Sequence, residues 1–95
     1  MSASAVIWKF QIPVADDFKI LMPSGARLLD VQAQHGVPQL WAVVIQSNPM
    51  VPRSLALRGT GHPADGLVSA VYVGTFQVSG GGLVFHLFDL GEVAG

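Results

Sequence analysis

The sequence predicts an all-β domain, a small antiparallel sandwich or barrel of about seven short strands. Apolar and polar residues alternate along most of the chain, which is typical of strands with one buried face. Glycine and proline lie where the alternation stops, as tight turns require. No amphipathic helical period continues for three turns. We therefore expect one all-β domain over residues 1–90 and a flexible tail over 91–95.

The N-terminal part of the chain predicts three strands, at about residues 5–12, 17–22 and 27–35. Pro13 ends the first strand, and the Pro23-Ser24-Gly25 turn ends the second. The residues of these strands that alternate with more polar neighbours, and that we expect on one buried face, are Val6, Trp8, Phe10, Ile12, Phe18, Ile20, Met22, Leu29, Val31 and Ala33.

The fourth strand, at residues 40–45, follows a turn at Gly36-Val37-Pro38 and is apolar on both faces. Such a strand is central in its sheet or faces another subunit. Residues 47–52 contain two prolines and are predicted to form a loop. In the fifth strand, at residues 53–59, Leu55 and Leu57 face away from Arg58.

The longest irregular connection is predicted over residues 60–69, with a short helical turn near Pro63. The sixth and seventh strands follow at about 70–78 and 83–90. The three consecutive glycines at 80–82 join them as a hairpin.

The amino-acid composition indicates an oligomer and argues against nucleic-acid binding and cysteine chemistry. Charged residues make up only 12% of the chain, against about 25% in an ordinary soluble domain. A surface with so little charge, and strand edges with few charges to protect them, predict a closed homo-oligomer. A net charge of −1, with five scattered basic residues, provides no footprint for nucleic acid. The absence of cysteine excludes disulfides and thiolate chemistry.

Two segments are long enough to raise the question of membrane insertion. Residues 31–52 and 66–88 lack charged side chains, but prolines interrupt the first and glycines the second. Each is better explained as two strands joined by a turn. The N-terminal residues also lack the pattern of a signal peptide. We therefore expect a cytoplasmic protein that does not associate with membranes.

The most unusual local sequence is Arg58-Gly59-Thr60-Gly61-His62-Pro63. Two glycines around a threonine allow successive amides to point into one concavity, which suits an anion such as phosphate. Arg58 offers a bidentate donor, Thr60 a hydroxyl and His62 an imidazole. The alternative is a strand end that needs glycine for a sharp exit, since the loop lacks the spacing of the known nucleotide-binding fingerprints.

Aromatic residues provide candidate surfaces for stacking on a nucleobase. At strand spacing such residues more often belong to the core, but Trp8 and Tyr72 each carry a polar group and are the exceptions we expect. Thr75 and Gln77 lie on the face of the sixth strand opposite Phe76. They either bind polar edges of a ligand or form the solvent face.

The residues offer little support for catalysis or for a bound metal ion. His35, His62 and His86 lie on different predicted elements without metal-ligand spacing, so we expect no metal and no other cofactor. His86 is explained as a hydrogen-bonded structural residue and His35 as a solvated one. No catalytic residues are assigned, although a hydrolase that uses His62 and His86 remains an alternative.

Four motifs, taken together, resemble a family of small phage and prophage proteins over residues 6–88. They are Ile7-Trp8-Lys9-Phe10, Gly59-Thr60-Gly61-His62-Pro63, Gly74-Thr75-Phe76-Gln77 and Leu83-Val84-Phe85-His86-Leu87-Phe88. The resemblance implies a phage accessory protein in the cytoplasm of an infected bacterium. By analogy of class, it is similar to the phage proteins that sequester cyclic nucleotides or cyclic ADP-ribose derivatives, without cleavage, to inhibit anti-phage defence.

The first hypothesis is therefore a non-enzymatic, homo-oligomeric binding protein for a small anionic nucleotide-type signal. Its pockets are expected between subunits, with Arg58, Thr60 and His62 on phosphates and Trp8 or Tyr72 on a base. One alternative is a structural or assembly protein of the phage that acts through protein–protein interfaces. A further alternative is a small phosphodiesterase.

Overall fold

A computed structural model describes residues 4–93 as an all-β sandwich, as the sequence predicts. The seven strands are β1 (Ala5–Gln11), β2 (Asp17–Pro23), β3 (Arg27–Gln34), β4 (Val37–Ile45), β5 (Met50–Gly59), β6 (Val71–Val78) and β7 (Leu83–Glu92). One 3₁₀ turn, Ser79–Gly81, lies in the β6–β7 hairpin. Over residues 4–93 no helix has the length and apolar character needed to cross a membrane.

The strands form two antiparallel sheets. The three-stranded sheet has the order β1-β4-β3, and the four-stranded sheet has the order β2-β5-β7-β6. β4 is thus central in its sheet, as its apolar sequence predicts. In the four-stranded sheet β5 and β7 are the two inner strands, so the end of β5 lies next to the middle of the β6–β7 hairpin.

The core fills the space between the sheets and receives alternate residues from both of them. On β4, for example, Leu40, Ala42 and Val44 are buried, while the residues between them are partly exposed. The buried residues of this core are Ile12, Met22, Ala26, Val31, Leu40, Ala42, Val44, Leu55, Leu57, Phe76 and Leu87. Because one face of each strand is buried, the residues between these point to the outside, where a ligand can reach them.

A bulge in β3 corrects the predicted alternation there. The register against β4 shifts between Leu28 and Asp30, so one extra residue lies on β3. As a result Leu28 packs against the core, and Leu29 is 37% exposed rather than buried beside Val31. The local pattern of alternation contained no sign of this shift.

The loop predicted over residues 47–52 is shorter than expected, because β5 begins at Met50. Val51 pairs with Met22 and Pro52 with Leu21. Proline has no N–H to contribute to the ladder, but the Pro52 carbonyl still accepts a bond of 2.9 Å from Val93 N. The strand therefore passes through a proline that the sequence alone indicates as a loop residue.

The tail predicted from residue 91 onwards is also corrected, since β7 continues to Glu92. The Glu92 carboxylate accepts hydrogen bonds from Gly25 N at 2.6 Å and from Ser24 Oγ at 3.3 Å. These bonds attach the end of β7 to the β2–β3 turn. Residues 94 and 95 of the predicted tail lie outside the described residues.

Residues 60–70 form the irregular connection that the sequence predicts. A bond of 3.1 Å from Leu67 N to the Ala64 carbonyl closes a turn near Pro63, a second bond of 3.1 Å from Ala70 N to the Leu67 carbonyl closes the next turn, and no helix forms within this described segment. Leu67 is buried, so the connection is attached to the domain by one apolar side chain.

Candidate functional site

A row of polar side chains crosses the outer face of the four-stranded sheet. Arg58 on β5 pairs with His86 on β7, and His86 pairs with Thr75 on β6. Register partners in antiparallel strands project to the same side. The adjacent row, which includes Leu57 and Leu87, is buried in the core, so the row with His86 faces outward.

A second bulge, in β6, adds Tyr72 to this outer face. Tyr72 and Thr75 are separated by an odd number of positions, so a regular strand would place them on opposite faces. The register against β7 shifts between Tyr72 and Gly74, which restores both residues to the same side. Tyr72 is 50% exposed, and its ring packs edge-on against Phe88 at a centroid distance of 5.3 Å.

Four side chains at this face form one hydrogen-bonded group, which we call the His86 cluster: Thr60, Tyr72, Thr75 and His86. The hydroxyl of Thr60 lies 2.7 Å from His86 Nε2. On the other side of the ring, His86 Nδ1 lies 3.2 Å from both the Tyr72 hydroxyl and Thr75 Oγ1, which also bond to each other. Both imidazole nitrogens therefore face hydroxyl groups.

The main chain holds Thr60 in its place in the cluster. The Thr60 N–H donates to the Val84 carbonyl at 3.1 Å, which continues the ladder by one residue beyond Gly59 and Phe85, the last register pair of β5 and β7. Gly61 has a φ of +86°, a conformation open mainly to glycine, and it turns the chain away immediately afterwards. The glycine that the sequence analysis singled out thus ends the strand at the point where Thr60 can reach His86.

The geometry of Arg58 leaves its charge largely without a counter-charge. Its Nη1 donates to the carbonyl oxygens of Asp16 at 2.5 Å and Leu57 at 3.0 Å. The contact of Nη2 with the Asp17 carboxylate is 3.4 Å long, and the Asp17 side chain is 69% exposed. Neutral carbonyls thus fix the guanidinium in position, the Arg58 side chain is 18% exposed, and no carboxylate within residues 4–93 forms a close pair with its charge.

Two depressions flank the glycine segment. The first, of about 320 Å³, is lined by Asp16, Arg58, His62, Pro63 and Asp65. Its two carboxylates disfavour an anionic ligand. The second, of about 190 Å³, lies between the Gly59–Thr60 segment and the β6–β7 hairpin, where Leu83 and Phe85 contribute apolar walls. Since Thr60 borders it, this smaller depression is the better extension of the His86 cluster.

These features can be compared with known proteins. The chain matches a family model described as a domain of unknown function, DUF7352, over residues 3–94. The chain belongs to the DUF7352 family. No curated protein and no solved structure matches it. The family assignment therefore covers nearly the whole chain.

The structure brings together only some of the residues singled out from the DUF7352 sequence. Thr60, Tyr72 and Thr75 meet in the His86 cluster, and Arg58 lies in the same row. Gln77 is exposed on β6, on the same face as Thr75 but nearer the hairpin. His62 lies over Gly59, next to the two depressions, and is exposed.

Trp8 lies elsewhere in the DUF7352 domain. It is on β1 in the three-stranded sheet, packs against the hydrophobic core and has its ring 6.2 Å from that of Phe10. The expectation that Trp8 stands apart from the core to receive a base is therefore corrected, because alternation along β1 turns this side chain inward. We leave Trp8 out of the candidate site.

His86 is the residue that the sequence analysis of the DUF7352 chain undervalued. Its hydrogen bonding was expected, but its position at the centre of the candidate site was not. Alternation with the buried Leu87 was the one available signal, since it places His86 on the outer face. His35, by contrast, lies exposed in the β3–β4 turn. Within residues 4–93 there is no group of three or more side chains with the arrangement of a metal site.

Proposed function

We propose that this DUF7352 domain is a non-enzymatic binding protein that sequesters a small anionic ligand of the nucleotide type. The observation that carries the proposal is the His86 cluster beside Arg58 on the outer face of the four-stranded sheet. An imidazole, three hydroxyls and a guanidinium are donors that suit phosphate oxygens.

The neighbouring aromatic residues support a ligand with a base as well as a phosphate. The Tyr72 ring is half exposed and is held by its edge-on contact with Phe88. A ring fixed in this way can stack on a nucleobase with little loss of conformational entropy, and such stacking contributes about 1–3 kcal/mol per base. Gln77 is exposed on the same face of β6, on the far side of Thr75 from Tyr72, where it can bind a more distant part of a ligand.

Sequestration, rather than hydrolysis, is favoured by the openness of the site. Thr60, Tyr72 and Thr75 are all exposed, so water surrounds the groups that would have to stabilise charge in a transition state. The resemblance to phage proteins extends the proposal: the ligand would be a cyclic nucleotide or cyclic ADP-ribose derivative of bacterial defence, bound in the cytoplasm of the infected cell.

Titration calorimetry with cyclic ADP-ribose isomers and cyclic dinucleotides tests the proposal. We expect binding by at least one of them, a loss of at least tenfold in His86→Ala (about 1.4 kcal/mol), and no loss in His35→Asn. The control removes an exposed histidine from the β3–β4 turn and retains a residue type that tolerates its positive φ of 53°.

Two results would contradict the proposal. One is the absence of binding to any of these ligands at about 1 mM, a concentration that detects binding free energies of only about −4 kcal/mol. The other is conversion of the bound ligand. Chromatography of the ligand recovered after long incubation should return it intact, and its disappearance would favour the phosphodiesterase, with Thr60 and His86 as the first residues to test.

A second candidate function, assembly through protein–protein interfaces, is favoured by the outer face of the three-stranded sheet. Ile7 is 61% exposed and pairs with Val43, and the side chains of Trp41 and Ile45 on β4 are also only partly buried. We propose that this apolar face associates with a second copy of the chain. Native mass spectrometry should then detect a discrete oligomer that Ile7→Lys dissociates, and a monomeric wild-type protein would contradict it. Since the binding protein is also expected to be a homo-oligomer, assembly is favoured as the function only if this oligomer forms and no nucleotide binds.

A further inference from the structure

The hydrogen bonds of the His86 cluster allow its protons to be counted. Thr60, Tyr72 and Thr75 each carry one hydroxyl proton, and a neutral imidazole carries one on either nitrogen. The cluster contains one contact at His86 Nε2, contacts from Nδ1 to two hydroxyls, and one contact between those two hydroxyls. The number of hydroxyl protons that remain free to point outward depends on the tautomer and the protonation state of the His86 ring.

In one neutral tautomer of His86 the ring proton is on Nε2. That proton is donated to Thr60, whose own hydroxyl proton is then free to point outward. On the other side Thr75 or Tyr72 donates to Nδ1, and the remaining hydroxyl of the two donates to its neighbour. This tautomer therefore offers a ligand one hydroxyl donor.

The other neutral tautomer gives the same number. With the proton on Nδ1, Thr60 donates its hydroxyl proton to Nε2, so that proton cannot point outward. Nδ1 donates to Tyr72 or Thr75, one of these donates to the other, and one proton is left over. Either way, the neutral His86 cluster presents a single outward donor.

Protonation of His86 changes the count. Both ring nitrogens then donate, so Thr60 has a free proton at the Nε2 side and the Tyr72–Thr75 pair has a free proton at the Nδ1 side. The charged cluster presents two outward donors, one on each side of a cation. The positive charge and the additional donor favour an oxyanion such as phosphate, sulfate or a phosphodiester.

Arg58 provides the reason why proton and anion would bind together. It is the register partner of His86 on the same face, and its guanidinium is held towards β2 by the Asp16 and Leu57 carbonyls. A protonated His86 would therefore add a second positive charge to this face. The other ionisable groups nearby are Tyr72 within the cluster, Asp17 at the far side of Arg58, and His62, Asp16 and Asp65 around the glycine segment. An anion at the row would offset the repulsion between Arg58 and a protonated His86.

We infer that the His86 cluster is a proton-coupled oxyanion site, which binds its ligand together with one proton on His86. The inference rests on the proposed function for the location of the site and names the chemistry of its ligand. Because the ligand binds together with a proton, anion affinity should rise as the solution is acidified. A single linked proton changes the dissociation constant by at most about tenfold per pH unit.

Sulfate is the probe for the test, because it remains a dianion over the whole range used. Backbone amide shifts of Thr60 and His86 are followed by NMR during sulfate titrations at pH 5.5 and pH 8.0, with chloride adjusted to hold ionic strength constant. We expect a dissociation constant at least about tenfold lower at the acidic pH. Equal affinity at the two values, or no binding at either, would overturn the inference.

Two variants assign the effect to one histidine. His86→Gln keeps hydrogen-bonding groups but cannot gain a charge, so its sulfate affinity should no longer depend on pH. His62→Gln, at the exposed histidine nearest the cluster, should keep the full dependence. If His62→Gln alone abolished the dependence, the proton would belong to the glycine segment and the assignment to His86 would be wrong.

The nucleotide titrations separate this inference from the proposed function. Nucleotide binding that is independent of pH would leave the proposed function standing and overturn the proton coupling. Sulfate binding that tightens in acid, without binding of any nucleotide, would support the oxyanion site and overturn the nucleotide-type ligand.

Discussion

Two arginines on β5 have opposite environments. Arg53 forms a bidentate pair with Asp89, with distances of 2.9 Å from Nε to Oδ1 and 2.6 Å from Nη2 to Oδ2. Its Nη1 also donates to the Ala26 carbonyl at 2.8 Å. The Arg53 and Asp89 side chains are only 13% and 11% exposed. Arg58, at the other end of the strand, has carbonyl partners and one long contact with an exposed carboxylate.

The comparison separates an arginine with a close counter-charge from an arginine without one, since the two side chains are similarly exposed at 13% and 18%. The charge of Arg53 is matched by Asp89 and is shielded from water, so it holds β5, β7 and the β2–β3 turn together. The guanidinium of Arg58 is held by two carbonyls and has no close counter-charge among the described residues, and the register of β5 and β7 places this residue beside His86. Residue type alone does not distinguish the two arginines, whereas their partners do.

The largest expected effect is the loss of stability when the Arg53 pair is broken. Arg53→Met leaves the Asp89 carboxylate largely buried without its partner, so we expect the free energy of unfolding to fall by about 3 kcal/mol in urea denaturation. The double variant Arg53→Met/Asp89→Leu should recover most of this loss, because no charge is then left unpaired. A double variant no more stable than the single one would contradict this account.

The next effect concerns the β6 bulge, which gives the His86 cluster its shape. A Cβ at Gly74 would lie 3.0 Å from Asp30 Oδ1 and 3.2 Å from Val31 Cγ1, and Val31 is fully buried. We expect Gly74→Ala to cost about 2 kcal/mol by the same urea assay, and to weaken ligand binding by moving Tyr72 away from His86.

Gly59→Ala is the matched control for Gly74→Ala. Its Cβ would also meet a neighbour at 3.0 Å, but that neighbour is the exposed ring of His62, which can rotate away. The expected cost is below about 1 kcal/mol. Equal losses in the two variants would show that the packing of β3 against β6 is looser than these distances require.

A smaller effect is expected on acidification. Burial by itself raises the pKa of Asp89, but hydrogen bonds from Arg53 and from the Gly91 N–H, together with the arginine charge, hold the pKa below its usual value. A lowered carboxyl pKa stabilises the folded state above the pKa of the unfolded chain, and this contribution is lost as the pH falls through the folded-state pKa.

The stability of the wild-type protein should therefore decline below about pH 4. Asp89→Asn, measured across the same pH series, should decline less steeply. Asp17→Asn is the control, because its long and exposed contact with Arg58 contributes little to folding. If the stability of Asp89→Asn declined with falling pH as steeply as that of the wild-type protein, the assignment to Asp89 would be wrong.

A further small effect on stability, of about 1 kcal/mol, is expected for Arg58→Met, because hydrogen bonds to two carbonyls are lost but no buried carboxylate is left unpaired. Its binding of anions should nevertheless weaken by at least about tenfold, since a charged donor contributes about 1.5–3 kcal/mol. Arg27→Met, at an exposed arginine of the three-stranded sheet, should change neither property. Arg58→Met with normal sulfate affinity would remove Arg58 from the site.

Much of this fold was predictable because alternation is a local property. The exposure of Lys9 and Gln11, next to the partly buried Trp8 and Phe10, follows directly from the pleat of β1. Turn residues likewise indicate where strands end, and so the sequence predicted all seven strands. Where local chemistry and long-range pairing disagree, as at Pro52 in β5 and Gly91 in β7, pairing with a distant strand extended the element.

The sequence by itself thus determined the class of fold, the approximate strands and the glycine segment that ends β5. Only the tertiary structure decided that Leu28 rather than Leu29 faces the core, that Tyr72 joins Thr75, and that His86 lies between Thr60 and both of them. The physical reason is that bulges and cross-strand register depend on which strands become neighbours. Packing between residues far apart in the chain determines which strands become neighbours, and alternation within one strand does not predict it.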